Sequence, residues 1–501
     1  MKKIIFIFTI LFLPVVFGIS QDPGCYAGSD YYVFKYQDFA PEFTALYDDT
    51  DLYFDIDNDG VWEYKSNIDA FETYNAELNW KLKDNSYVHS SKPIVYNQRT
   101  FELDGSLGTS YGYACIPPID SLKYELILPE LKSTDFTWNI ISKNASLNIL
   151  GSDGSLKKVD IEDSYDLYVR ADHTTSDVWY INSTKPLFAI SNSGSVSHLG
   201  TDFFKVAPGI TYIGVIEDET NIKVDENGDG IFESGEYLDT GLHRFSFTAG
   251  SRIKSNKKIG VFESQEPVPD YYTRDITSAI LADSINDELF VKIHEKNRVF
   301  ITGVFNDDEG FLVTDFEYEN ENYTGDEGVV SNSVERLGFE GSGFVKAKRP
   351  VTTFFNYNSG RYAYQRPFQT IEPYISSFSK LKFLGLEDDA IINVRAFNPT
   401  IRTLEDIEVT INFIDYFTDE NIEYRMSIKN LEDDSIIEGP ITSSVTPIDL
   451  GGIREFNIDI DRLEPNQYVD IDYTIITPPI EGIYSFPPAN MKFKSEIWYV
   501  N

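Results

Sequence analysis

Two stretches of this chain set oxygen-bearing side chains at the alternate spacing that a hard cation needs. Asp225, Asn227 and Asp229 are followed by Gly230 and, at the twelfth position, by Glu236, a full match to D-x-[DN]-x-[DN]-G-x5-E. Three side-chain oxygens, the carbonyl of Ile231 and a bidentate Glu236 would complete a calcium shell. Gly230 permits the sharp turn, and Glu233 can add a ligand directly or through water. Asp55, Asp57 and Asp59 begin a second copy, with Gly60 and the carbonyl of Val61 in the same places. Its twelfth residue is Ser66, a poor closing ligand, and Glu63 is placed to compensate. Carboxylates held this close repel one another unless a cation neutralises them. The alternative for both is a solvated acidic turn, since Asp-Gly and Asn-Gly are common hairpin residues.

The flanks of these loops, Ile222-Lys223-Val224 before and Tyr237-Leu238 after, read as strands. The expected cofactor is therefore structural calcium on a β-hairpin, unlike the helix-flanked EF-hand. Ser152-Asp153-Gly154 and Asn306-Asp307-Asp308-Glu309-Gly310 occupy the corresponding places in two other parts of the chain and read as plain turns.

Strand signals dominate from residue 28 onward: Leu52-Tyr53-Phe54, Val299-Phe300-Ile301 and Glu408 to Phe413 cluster β-branched and aromatic residues between turn residues. A short helix over Ile276–Leu289 is the single helical candidate. Above the strands a closing motif recurs. It runs Val88-His89-Ser90-Ser91-Lys92-Pro93-Ile94, Ile181 to Leu187, Ile253 to Ile259 and Val345 to Val351: aliphatic, any, small, any, basic, Pro or Lys, aliphatic. Proline fixes φ and brings no donor, so the motif reads as strand, turn, strand. An opening precedes the first three copies: Gly28-Ser29-Asp30-Tyr31, Gly108-Thr109-Ser110-Tyr111 and Gly200-Thr201-Asp202-Phe203. The fourth, near Asp270-Tyr271-Tyr272, is degenerate.

These motifs divide the chain into a leader (1–20), four β-repeat units (21–105, 106–198, 199–268 and 269–369) and a C-terminal segment (370–501). The layout resembles the N-terminal β-repeat region of IgGFc-binding-type proteins and of many prokaryotic cell-surface proteins, with EF-hand-like or dockerin-like loops on its hairpins. The resemblance covers about residues 28–365 and implies an extracellular, β-rich binding or scaffold module; it carries over no catalytic residue. Whether the units are separate sandwiches or blades of a closed ring stays open. From Thr370 the basic-proline turn disappears. Short strands such as Ile391 to Phe397 and Phe456 to Ile460 there suggest an immunoglobulin-like β-sandwich. The expected fold class is all-β.

Lys2-Lys3, the apolar run Ile4 to Ile19 and the polar stretch from Ser20 have the order of a secretory signal peptide. Cleavage after Ser20 would leave no membrane span, and an uncleaved anchor is the alternative. A secreted or cell-surface location is expected. Asn144, Asn182 and Asn322 then head glycosylation sequons, and Cys25 and Cys115 are a candidate disulfide, with two free thiols as the alternative. A net charge of −39 argues against a nucleic-acid partner. Other surface proteins, glycans or further copies of the chain are the expected partners.

Enzyme signatures are weak. Gly108-Thr109-Ser110-Tyr111-Gly112 fits G-x-S-x-G, but Ile116-Pro117-Pro118 follows where a nucleophile elbow needs a helix, so Ser110 is expected in a turn. The five histidines show no metalloprotease or zinc spacing, and 81 acids make any single carboxylate pair uninformative. The sequence thus points to a non-enzymatic, secreted, acidic, calcium-stabilised β-repeat protein with a structural or adhesive role. An extracellular polysaccharide-degrading enzyme or glycan-binding module is the alternative.

Overall fold

The structure is a computed structural model of the 501-residue chain. It describes residues 27–33, 40–75, 82–83, 86–102, 110–119, 122–130, 136–162, 164–169, 177–191, 199–204, 210–226, 231–247, 251–264, 276–278, 280–281, 286–293, 298–303, 314–320, 323–330, 335–337, 341–356, 368–370, 373–377, 380–382, 389–400, 402–414, 421–476, 483–485 and 489–495. The leader, Cys25, Asn322, the Asp270-Tyr271-Tyr272 opening and the Asn306–Gly310 turn lie outside these residues.

Each closing motif lies inside one long strand, the spine of its unit: Tyr87–Glu102, Asp177–Ser191, Arg252–Ser264 and Gly341–Asn356. The expected strand-turn-strand is therefore a single bent strand. Opposite the bend, one residue of an opening strand (Gly28–Tyr32, Lys123–Glu130, Gly200–Phe204 or Asn286–Ile293) faces four of the spine. Asp30 pairs with His89 and Gly28 with Ile94; Asp202 pairs with Lys254 and Gly200 with Ile259. In units 1 and 3 the small residue of the motif braces the bulge with a hydroxyl bond to the spine's own backbone. Ser90 Oγ donates to the Lys92 carbonyl at 2.7 Å, and Ser255 Oγ to that of Lys257 at 2.6 Å. A bulge leaves ladder positions unpaired, so proline is tolerated inside a central strand.

The two halves of the spine carry different neighbours. In unit 1 its first half pairs with Thr50–Asp55, which forms a hairpin with Tyr64–Ile68. Its second half pairs with Ala40–Ala45, which pairs with Thr73–Asn75. The same scheme recurs around the other three spines. The bent spine curls each sheet over its own core, and alternation along the strands fills it: Leu52 and Phe54, Leu147 and Ile149, and Ile222 and Val224 are buried.

Strand pairing also moves the expected unit boundaries. Ser110–Cys115 pairs with the first spine, so unit 1 extends past residue 105, and Ser110 begins a strand instead of lying in a turn. Unit 2 opens at Lys123–Glu130, where Glu125 takes the place of Asp30 and Asp202. The helix expected over 276–289 is absent; Ile276–Ser278, Ile280–Leu281 and the start of Asn286–Ile293 are strands that pair with strands of units 3 and 4. Their apolar spacing suits a helix, but unpaired ladder groups on neighbouring strands override it.

The C-terminal segment is a sandwich of a five-stranded and a four-stranded antiparallel sheet. Ile392, Val394, Val469 and Ile471 of the first sheet meet Val409, Ile411, Phe456 and Ile458 of the second in one core.

Candidate metal centre

The hairpin joining Thr50–Asp55 to Tyr64–Ile68 gathers four carboxylates. Asp55, Asp57, Asp59 and Glu63 each bring an oxygen into a group whose members all lie within 4.8 Å of one another. Asp55 is the anchor, buried to 1% exposure at the end of its strand. Its Oδ1 accepts the Asp59 N–H at 2.9 Å and its Oδ2 the Gly60 N–H at 2.8 Å. Those bonds wrap the loop around the carboxylate, with Asn58 and Gly60 supplying the left-handed φ values of 58° and 88° that the wrap requires. Asp59 Oδ1 accepts the Val61 N–H at 2.9 Å and braces the far side.

Glu63 closes the loop. Its N–H donates to the Phe54 carbonyl at 3.0 Å, and its Oε2 accepts the Ile56 N–H at 2.7 Å. Ser66, the twelfth residue, is already in the hairpin ladder opposite Leu52.

The third unit repeats the buried anchor and the closing bonds. Asp225 is buried to 1% exposure, the Glu233 N–H donates to the Val224 carbonyl at 3.1 Å, and Glu233 Oε2 accepts the Glu226 N–H at 3.0 Å. Asn227 and Asp229 lie outside the described residues, and Ile231, like Val61, is exposed. Glu236 stands where Ser66 does, exposed on the strand and opposite Ile222. In both loops the carboxylate that bonds back across the hairpin is thus at position nine, while position twelve lies in the ladder. In a helix-flanked loop the chain comes round again by the twelfth residue; here antiparallel pairing has begun at the tenth and carries the twelfth away. The signal was available in sequence, since Glu63 and Glu233 share a position in both loops.

An oxygen-only donor set of this kind fits a hard divalent cation such as calcium. The Asp59 and Gly60 N–H groups hold the two Asp55 oxygens in a fixed orientation at the base of the loop. The loop is also tied to the spine. Ser86 Oγ donates to the Ile56 carbonyl at 2.7 Å, and Trp62 stacks on Tyr87 and His89 with ring centroids 5.6 and 6.1 Å apart. Unit 3 keeps both ties, Ser251 Oγ to the Glu226 carbonyl and the Lys254 ammonium over the Phe232 ring at 5.3 Å. Unit 2 has a tight turn instead, closed by Gly154 N–H to the Gly151 carbonyl at 3.0 Å, as its sequence suggested.

Below the first loop, Asp30 accepts hydrogen bonds from Tyr87 and Ser376 and pairs with His89 Nδ1 at 2.8 Å. Burial pushes the Asp30 carboxyl up, but His89, Ser376 and Tyr87 outweigh it and hold the group below the usual carboxylate range. The exposed Trp62 and the half-buried Tyr53 are tilted by 50°, so this pair does not form a coplanar sugar platform. Asn144 is exposed in a turn at φ 49°, whereas Asn182 is half-buried on the second spine between two strands. Cys115 ends its strand, and its pairing with Cys25 lies outside the described residues.

No family model and no curated protein matches this chain. Among solved structures, the trypsin-activated alpha-2-macroglobulin of Escherichia coli aligns with 96% of this chain and 49% of its own, at 8% identity and a TM-score of 0.13. The methylamine-reacted alpha-2-macroglobulin of Salmonella aligns with 92% of this chain and 40% of its own, at 11% identity and a TM-score of 0.11. The chain therefore spans half or less of the length of either protein.

Proposed function

We propose that this is a secreted, acidic β-repeat protein that serves as a structural or adhesive component of a cell surface, with calcium stabilising its hairpins. The observation that carries the reading is the convergence of Asp55, Asp57, Asp59 and Glu63 at one hairpin tip, with the same closing geometry at Glu233. A bound calcium ion would supply positive charge that offsets the mutual repulsion of these carboxylates. The chain's own part is to preorganise the cage: Asp55 wraps the loop, Glu63 closes it, and Trp62 fastens it to the spine. The resemblance to IgGFc-binding-type and prokaryotic surface repeats guides the location, and four units of one topology suit a spacer or scaffold.

Melting with calcium and with a chelator tests the metal. A clearly lower melting temperature in chelator is expected; identical curves together with no calcium by elemental analysis would overturn it. Fractionation of the native cells tests the location, with the protein expected in the surface or medium fraction.

A further inference from the structure

We propose that the face of unit 1 carrying Leu46 and Val95 is an assembly face for an end unit of a second copy of this chain, and that the C-terminal sandwich caps it. The argument starts from one position, the residue that follows the last aliphatic of each closing motif. In unit 2 it is Phe188, which packs with Ile141 into the core of unit 1. In unit 3 it is Gly260, where an added Cβ would lie 2.3 Å from Ile127 of unit 2. Beside it a Cβ at Gly214 would lie 2.7 Å from Val178, and Phe262 joins the core of unit 2. Units 2 and 3 thus each seat this face on the unit before them.

In unit 1 the same position is Val95, and among the described residues the sandwich takes the place of a preceding unit. Val95, Leu46 and Tyr47 pack with Tyr374, Phe397, Leu431 and Tyr468. The surrounding bonds are polar: Ser29 Oγ to Tyr374 Oη at 2.8 Å, Tyr47 Oη to Asn466 Oδ1 at 3.0 Å, and Arg395 to the Ser91 carbonyl at 3.1 Å. A small apolar centre joined by a handful of polar bonds is the make-up of an inter-domain contact. The sandwich has no spine and no unit topology, so it is a substitute occupant of a face that units 2 and 3 use to hold another unit. When the sandwich leaves, the partner that fits is the end unit of another copy, giving head-to-tail growth.

This inference rests on the repeat-scaffold part of the reading above and not on its metal. The test is the full chain carrying Leu431→Arg and Asp434→Lys, which sets two cations against the buried Lys92 and loosens the cap. By light scattering from micromolar to near-millimolar protein, the wild type should keep its monomer mass. The double variant should gain at least twofold in mass with concentration, more so in added salt, which screens two strongly acidic bodies. Adding Leu46→Glu, in a turn of the assembly face, should return it to monomer. A double variant that stays monomeric, or association that Leu46→Glu does not abolish, overturns the proposal. A chelator-insensitive melt would count against the calcium reading alone and would leave this mass measurement unaffected.

Discussion

The Glu63 carboxylate accepts the Ile56 N–H at 2.7 Å, seven residues back, and so sets the width of the acidic hairpin. That relationship makes Glu63, at position nine, the residue to test against Ser66, at position twelve, as the closing group. Glu63→Gln keeps an acceptor for Ile56 but removes the charge. It should abolish most of the calcium-dependent rise in melting temperature of unit 1, while Ser66→Ala leaves the rise intact. Calcium a hundredfold above its dissociation constant stabilises a site by about 2.7 kcal/mol. For a unit of this size the loss should therefore be on the order of 10 °C. Differential scanning calorimetry with and without calcium reads it. Glu233→Gln and Glu236→Gln make the matching pair in unit 3, with the effect expected at Glu233.

Acid should weaken the contact between unit 1 and the sandwich. Asp30 is held low by His89, Ser376 and Tyr87 against the upward push of burial. Asp470 is likewise held low, by Arg395, Lys429 and Asn393, against its own burial. Both groups bind a proton less readily folded than unfolded. Their stabilising contribution is complete above the unfolded value, about pH 4, and is lost as the pH falls through the lower folded values. Thermal unfolding followed across this range should show Asp30→Asn less acid-sensitive than the wild type and less stable at neutral pH.

Gly260 and Gly214 record how closely unit 3 rides on unit 2. A Cβ at Gly260 would meet Ile127 Cγ2 at 2.3 Å, yet the same position holds Val95 in unit 1 and Phe188 in unit 2. Gly260→Val should cost about 1–3 kcal/mol by overpacking. Ile127→Ala in the same chain should restore part of it, because the two side chains compete for one space. Denaturant titration of the single and double variants measures that coupling.

The spines and hairpins were legible because their signals are local. The Ser-x-Lys-Pro bend repeats in sequence, and alternation along Thr50–Asp55 or Thr220–Asp225 marks an inward face. What escaped depends on pairing partners. Gly108-Thr109-Ser110-Tyr111 has the spelling of an opening, yet Ser110 pairs with Glu102 at the far end of the first spine. The true opening of unit 2 lacks that spelling and shows itself only through Glu125 opposite Asn182. In the acidic loops the spacing of Asp55, Asp57, Asp59 and Glu63 was readable, while the bond from Glu63 back to Ile56 was not, because it depends on the register of the hairpin. The docking of the sandwich on unit 1 joins residues more than 300 apart, such as Ser29 and Tyr374, and left no local trace.

The basic residue of the closing motif should matter unequally from unit to unit. Lys92 is 2% exposed; its ammonium donates to the Asp48 carbonyl at 3.0 Å and, across the interface, to the Glu432 carbonyl at 3.1 Å, with Asp434 3.6 Å away. Lys257 makes the first of these bonds, to the Asp218 carbonyl at 2.7 Å, but no sandwich covers it and it stays partly exposed. In both units the ammonium satisfies the carbonyl of Asp48 or Asp218, in the turn before the third strand and just ahead of Asp49 or Glu219, whose φ is positive. Lys92→Met keeps the aliphatic stem and removes the donor, leaving two carbonyls short of a partner in a buried contact at a cost of about 1–3 kcal/mol each. Lys257→Met leaves its carbonyl open to water and should change stability by less than about 1 kcal/mol. Chemical denaturation of the two variants should rank them in that order, with Lys92→Met also exposing the junction after residue 370 to limited proteolysis. Equal losses would mean that the bond to Glu432 contributes nothing to holding the sandwich in place.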